Sequence, residues 1–104
     1  GRIVTLTSGG GLGFPEEASY GAAKAALAHY TMSAAVELAP YGVTANAVHP
    51  PVTDTGWVTE PVREFVAGSR EHMTVATPEQ VAGVIAFLAT DAARLITGNE
   101  LTLR

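Results

Sequence analysis

Arg2-Ile3-Val4-Thr5-Leu6-Thr7 is a β-branched run that stops at Ser8 and the cluster Gly9-Gly10-Gly11-Leu12-Gly13, and Pro15 follows. The run predicts a strand, and the glycines with the proline predict a loop. What comes next decides the fold. From about Glu16 to Ala39 there is no proline, and Gly21 alone breaks an alanine-rich pattern in which Leu27, Ala34, Ala35 and Leu38 share one helical face. Glu16 and Glu17 fall at the positive end of that helix's dipole, and Pro40 and Gly42 stop it. Val43-Thr44-Ala45-Asn46-Ala47-Val48 is a second strand, ended by His49-Pro50-Pro51.

Residues 52–76 show no clean period and predict a long excursion with short helices near Glu60–Gly68. Long irregular segments in compact domains are commonly functional loops. Thr77-Pro78-Glu79-Gln80 is a helix start with Thr at the N-cap, Pro at the first position and Gln at the third. Val81, Val84, Ile85 and Leu88 then form an apolar stripe, Gly98 closes a turn, and Glu100-Leu101-Thr102-Leu103 reads as a last short strand. The order β-α-β-loop-α-β implies an α/β fold with a parallel sheet, half of a doubly wound arrangement. No internal repeat or linker divides the chain.

Composition narrows the function classes. The 104 residues carry a formal charge of −4 and no cysteine, with 47% apolar and 15% charged residues. No apolar run approaches the roughly 18 residues of a membrane helix. Six Lys and Arg scattered along an acidic chain make no stripe for nucleic acid. Without cysteine there is no disulfide framework and no thiolate metal site, and no secretory signal is visible. A cytoplasmic, single-domain chain is the expectation. The charged share is low against the roughly 25% of soluble domains, whereas a chain this small, burying only about two-thirds of its surface, should be more polar than average. One face therefore expects a partner.

In parallel sheets, ligands bind beyond the carboxyl ends of the strands. Topology gathers three features at that edge: Ser8, the pair Tyr20 and Lys24 in the first turns of the long helix, and the segment His49 to Thr55. Tyr20 and Lys24 are four residues apart and share a helical face about 6 Å apart. A cation about 5 Å from a phenolate is worth roughly 3 kcal/mol at an effective dielectric of 20. The pair therefore makes sense as a tuned proton donor, with Ser8 as hydrogen-bond donor to a substrate oxygen. The same spacing also occurs on ordinary helix surfaces. The glycine cluster does not satisfy G-x-G-x-x-G, because Phe14 stands at the sixth position, and no P-loop lysine follows. It reads as an active-site loop. His29, His49 and His72 lack metal-ligand spacing, so no metal site is expected. His49 ends a strand at the crevice, Asn46 is placed for a structural hydrogen bond, and Trp57 with the Val58–Phe65 stretch could line a pocket or anchor a loop.

Taken in order, these motifs resemble the classical short-chain dehydrogenases/reductases. The strand ending at Ser8, the Tyr20-Gly21-Ala22-Ala23-Lys24 helix, the strand Val43–Val48 leading to His49-Pro50, Asp54-Thr55, Thr77-Pro78-Glu79-Gln80, and Ile96-Thr97-Gly98 all match and span the chain. The resemblance implies residues 1–104 as the C-terminal half of an NAD(P)-binding Rossmann domain, with the N-terminal half lacking. It implies NAD or NADP as cofactor, a carbonyl or alcohol substrate, and pairing of copies through the 16–39 helix. Tyr20 would be the acid–base group. Lys24 would assist it and hold the nicotinamide ribose, Ser8 would orient the substrate oxygen, and Tyr20, Lys24, Pro50, Pro51, Thr53 and Thr55 would border the cofactor. Pro51 stands where the family has glycine, which removes a backbone donor there. The Ser8–Tyr20 spacing is one residue shorter than in many members. A non-catalytic binding or oligomerisation module on the same half-fold is the alternative.

Overall fold

The computed structural model describes residues 1–9 and 12–104; Gly10 and Gly11 of the glycine cluster lie outside the described residues. Strand β1 (Arg2–Leu6) leads through the loop to helix α1 (Ala18–Leu38), a short 3-10 turn at Ala39–Tyr41, and strand β2 (Thr44–His49). Helices α2 (Glu60–Gly68) and α3 (Pro78–Leu88) follow, then a second 3-10 turn at Asp91–Ala93 and strand β3 (Glu100–Thr102). The sheet has the order β1-β2-β3, parallel throughout, with Val4 opposite Asn46 and Val48 opposite Leu101. The α/β, Rossmann-like reading of the sequence therefore holds.

Central position explains the character of β2. Thr44 to Val48 are all buried, and only His49 at the carboxyl end is partly open. Alternation along the strands sends Thr5, Ala45 and Ala47 to one face and Val4, Asn46 and Val48 to the other. The first face packs on α1, where the Thr5 and Thr31 hydroxyls meet at 2.7 Å and Ala35 is buried. The second packs Val48 against Leu88 and Ala93, with Val4, Ile85, Ile96, Leu101 and Leu103 around them. Small side chains on both β2 and α1 allow close approach, as the alanine-rich pattern predicts.

Asn46 is 1% exposed and satisfied. Its Nδ2 donates to the Ile96 carbonyl at 2.8 Å, and its Oδ1 accepts from the Asn99 N–H at 3.2 Å. Thr97 Oγ1 accepts from the Ala45 N–H, so the turn through Gly98 is fastened to β2 at several points. This fastening sets the register that brings β3 beside β2.

Two boundaries differ from the sequence reading in an informative way. Helix α1 starts at Ala18, not Glu16, and no acidic residue lies in its first turn. Glu17 is its N-cap without a side-chain hydrogen bond, and Glu16 has φ of 68°. The turn after Pro15 outweighs the dipole preference there. By contrast α3 starts as expected, with a full capping box between Thr77 and Gln80. Gly42, in the left-handed region at φ 70°, closes the 3-10 extension of α1 and lets the chain reverse into β2.

The chain is open rather than compact. Its radius of gyration is 15.0 Å, against about 13 Å for a compact domain of 100 residues. Buried apolar residues are mostly alanines, while Tyr30, Val36 and Tyr41 stand largely exposed. Among the described residues, strand β1 pairs with β2 alone, so its other edge is open there.

Candidate active site

Beyond the carboxyl ends of β1 and β2 lies a cavity of about 590 Å³. Ser8, His49, Pro50 and Pro51 border it, with Phe14 and Trp57 as aromatic walls and His72 and Arg104 across from them. The place is the carboxyl edge of a parallel sheet, where ligands are expected to bind. The structure also distinguishes the two adjacent hydroxyls. Thr7 is buried and donates from Oγ1 to Glu100 Oε1 at 2.9 Å, whereas Ser8 opens into the cavity.

Tyr20 and Lys24, on the first turns of α1, do not line this cavity; Tyr20 connects to it through Phe14. Lys24 Nζ donates to the Leu6 carbonyl at 3.0 Å, two residues before Ser8. That bond fixes the cation at the carboxyl end of β1. The same Nζ lies 5.8 Å from the centre of the Tyr20 ring. Tyr20 is 46% exposed, and its ring meets Phe14 edge-on at 5.3 Å. Phe14 thus joins the tyrosine to the cavity wall.

The segment after β2 is held from behind. Asp54 N–H donates to the Ala76 carbonyl and Ala76 N–H to the Val52 carbonyl, both at 2.8 Å. Thr53 Oγ1 donates to the Pro51 carbonyl at 2.8 Å, and Thr55 N–H to the Thr53 carbonyl. Among the described residues, the N–H groups of Val52 and Thr53 find no acceptor. Thr53 and Thr55 do not border the cavity, so the structure gathers Ser8, Pro50 and Pro51 in it and leaves the two threonines at its margin. Asp54 anchors the following turn, accepting from the Gly56 N–H and pairing with Arg63 at 2.6 Å.

Sequence reasoning singled out His49 and Trp57, and both line the cavity. Phe65 does not; it is largely exposed and lies against His72 at 6.0 Å. Six wall residues escaped it: Phe14, Glu71, His72, Thr102, Leu103 and Arg104. Arg104 reaches them through space, donating from Nη1 to the Glu71 carbonyl at 3.0 Å. No periodicity signals a contact across 33 residues. Phe14 carried a local signal, as the one aromatic side chain in the glycine-rich loop.

An open parallel sheet with helices on both faces and a Ser, Tyr and Lys set at its carboxyl edge defines a class of dinucleotide-dependent α/β proteins. The comparisons make this definite. Residues 1–103 match the family model described as enoyl-(acyl carrier protein) reductase. The chain is 46% identical over 100 residues to the uncharacterized oxidoreductase YjdA of Bacillus subtilis, covering 95% of this chain and 40% of that protein. It is 45% identical to a 3-oxoacyl-[acyl-carrier-protein] reductase of Synechocystis, covering 99% of this chain and 42% of that one. Among solved structures, a blue fluorescent protein from a metagenomic library, in complex with NADPH, superposes with a TM-score of 0.83 at 34% identity, covering 98% of this chain and 43% of that one. The chain belongs to the short-chain dehydrogenase/reductase family and spans about 40% of the length of these relatives.

Proposed function

We propose that residues 1–104 are the C-terminal, catalytic half of an NAD(P)-dependent oxidoreductase that interconverts a carbonyl compound and its alcohol. One observation carries this reading: Lys24 is fixed by the Leu6 carbonyl at the end of β1, two residues before Ser8 in the chain, with its ammonium 5.8 Å from the centre of the Tyr20 ring. The named relatives and the NADPH-bound structural neighbour support the reaction class and the cofactor.

The residues present fit the nicotinamide end of the cofactor. The unpaired N–H groups of Val52 and Thr53 are suited to the carboxamide, and Lys24 to the ribose hydroxyls. Pro51 offers no donor, so the backbone contact falls to those two positions, with the Thr55 hydroxyl as a side-chain partner. The nicotinamide, when bound, supplies or accepts the hydride at the carbonyl carbon.

Ser8 orients the substrate by donating its hydroxyl to the carbonyl oxygen, which is where negative charge develops. Tyr20 delivers a proton to that oxygen in reduction and takes it back in oxidation. Lys24 stabilises the phenolate left behind. Copies pair through the 16–39 helix, a reading supported by Tyr30 and Val36, which are 74% and 77% exposed on α1.

The test is a resonance-by-resonance titration of the chain with reduced nicotinamide mononucleotide and, separately, with AMP. The mononucleotide is expected to move Ser8, Tyr20, Lys24 and Thr55, and AMP to leave them in place. Equal response to both, or none at millimolar mononucleotide, would overturn the assignment.

A further inference from the structure

Phe14 is held in place more firmly than a loop residue needs to be. Its carbonyl accepts from the Glu17 N–H at 3.1 Å, closing a four-residue turn over Phe14-Pro15-Glu16-Glu17. Proline presets the second position of such a turn, and the third requires a positive φ that favours glycine or asparagine. Glu16 occupies it, with φ of 68°. A non-glycine residue in that region persists where its surroundings over-determine it. On the opposite side, α1 leaves space for Phe14 and for nothing else: a Cβ on Gly21 would stand 2.6 Å from Phe14 Cβ. The Phe14 ring then meets Tyr20 at an interplanar angle of 76°. It also passes Gly9, where a Cβ would lie 3.7 Å from Phe14 Cδ2. Tyr20 is nearly half exposed, and Phe14 gives it its one aromatic contact among the described residues.

We propose that Phe14 is the positioning residue for Tyr20, a wedge seated against Gly21 that fixes the phenol ring next to the cavity where substrate meets Ser8. The strained turn at Glu16 and the missing side chain at Gly21 are the two devices that hold the wedge. The inference rests on Tyr20 being the acid–base group. Because a small misplacement of a reacting group costs on the order of 100-fold in rate, losing the wedge should reduce turnover without weakening substrate binding.

The test combines tyrosine-ring resonances of selectively labelled protein with steady-state kinetics. Tyr30 and Tyr41 serve as internal references. Phe14→Leu and Gly21→Ala should both shift the Tyr20 ring resonances toward those of an exposed tyrosine, although Gly21→Ala leaves Phe14 itself intact. Phe14→Tyr should restore them. Adding Gly21→Ala to Phe14→Gly should change nothing further, since the clash is gone. Turnover should fall between 10- and 100-fold by the same factor for small and bulky ketones, with KM held. Unmoved Tyr20 resonances in both Phe14→Leu and Gly21→Ala would overturn the proposal, and so would a loss confined to KM for bulky ketones, which is the mark of a cavity wall. Full turnover in Tyr20→Phe would instead remove the acid–base reading, while the ring resonances would still decide the contact. Where Gly21→Ala fails to fold, the Phe14→Leu and Phe14→Tyr pair carries the decision.

Discussion

Helices α1 and α3 begin in opposite ways. At α3, Thr77 Oγ1 accepts from the Gln80 N–H at 3.2 Å and Gln80 Oε1 from the Thr77 N–H at 2.9 Å, with Pro78 in the first turn. Every local rule for starting a helix is met there. At α1, Glu17 caps nothing with its side chain, and Glu16 is forced into the left-handed region. Helix α3 packs Val81 and Leu88 into the core, whereas α1 presents Tyr20 and Lys24 at the sheet's carboxyl edge. Violations of local preference concentrate at functional sites because the site's geometry, not local stability, is what must be kept.

This contrast can be broken by substitution, and the two ends should answer in different currencies. Tyr20→Phe, at the strained end, should lower carbonyl reduction by about 10² to 10⁴-fold while leaving mononucleotide binding within a factor of a few; turnover and titration check it. Lys24→Ala removes the cation from the ring and from the Leu6 carbonyl, and should cost on the order of 100-fold in kcat, read in the same assay. At the relaxed end, Thr77→Ala should leave kcat untouched and cost about 1 kcal/mol of stability, a fall of roughly 4–8 °C in Tm for a chain of this size, followed by thermal melting. Glu16→Gly should do the reverse on a smaller scale. Relief of the left-handed strain, about 1–2 kcal/mol, is partly offset by the entropy of glycine, about 0.5–1 kcal/mol. A Tm rise of a few degrees is expected. A fall would mean that Glu16 makes the turn for a reason other than its backbone.

The contrast also shows what can be read without coordinates. The Thr77 box was legible because all its partners lie within four residues. The i, i+4 placement of Tyr20 and Lys24 was legible for the same reason, and strand order places them and Ser8 at one carboxyl edge of the sheet. Asn46 could be assigned a structural role from its mid-strand position, though not its partners Ile96 and Asn99, which lie some fifty residues on. The start of α1 was misplaced by two residues, because the dipole rule ignores the turn that Phe14 and Pro15 impose. The cavity's far wall stayed hidden. Residues 52–76 have no period, and the bond from Arg104 to the Glu71 carbonyl depends on how that excursion folds back.

Low charge now has a physical counterpart. With 15% charged residues, the chain leaves Tyr30, Val36 and Tyr41 exposed and, among the described residues, the outer edge of β1 unpaired. An unpaired strand edge invites pairing, and exposed apolar residues on α1 invite a second helix surface.

The most direct measurement of the central claim is isotope transfer from NADPH deuterated at the transferring position of the nicotinamide ring. With a simple ketone, the account predicts deuterium at the carbinol carbon of the alcohol formed by the protein, and its loss in Tyr20→Phe. Equal deuterium transfer by Tyr20→Phe would contradict it.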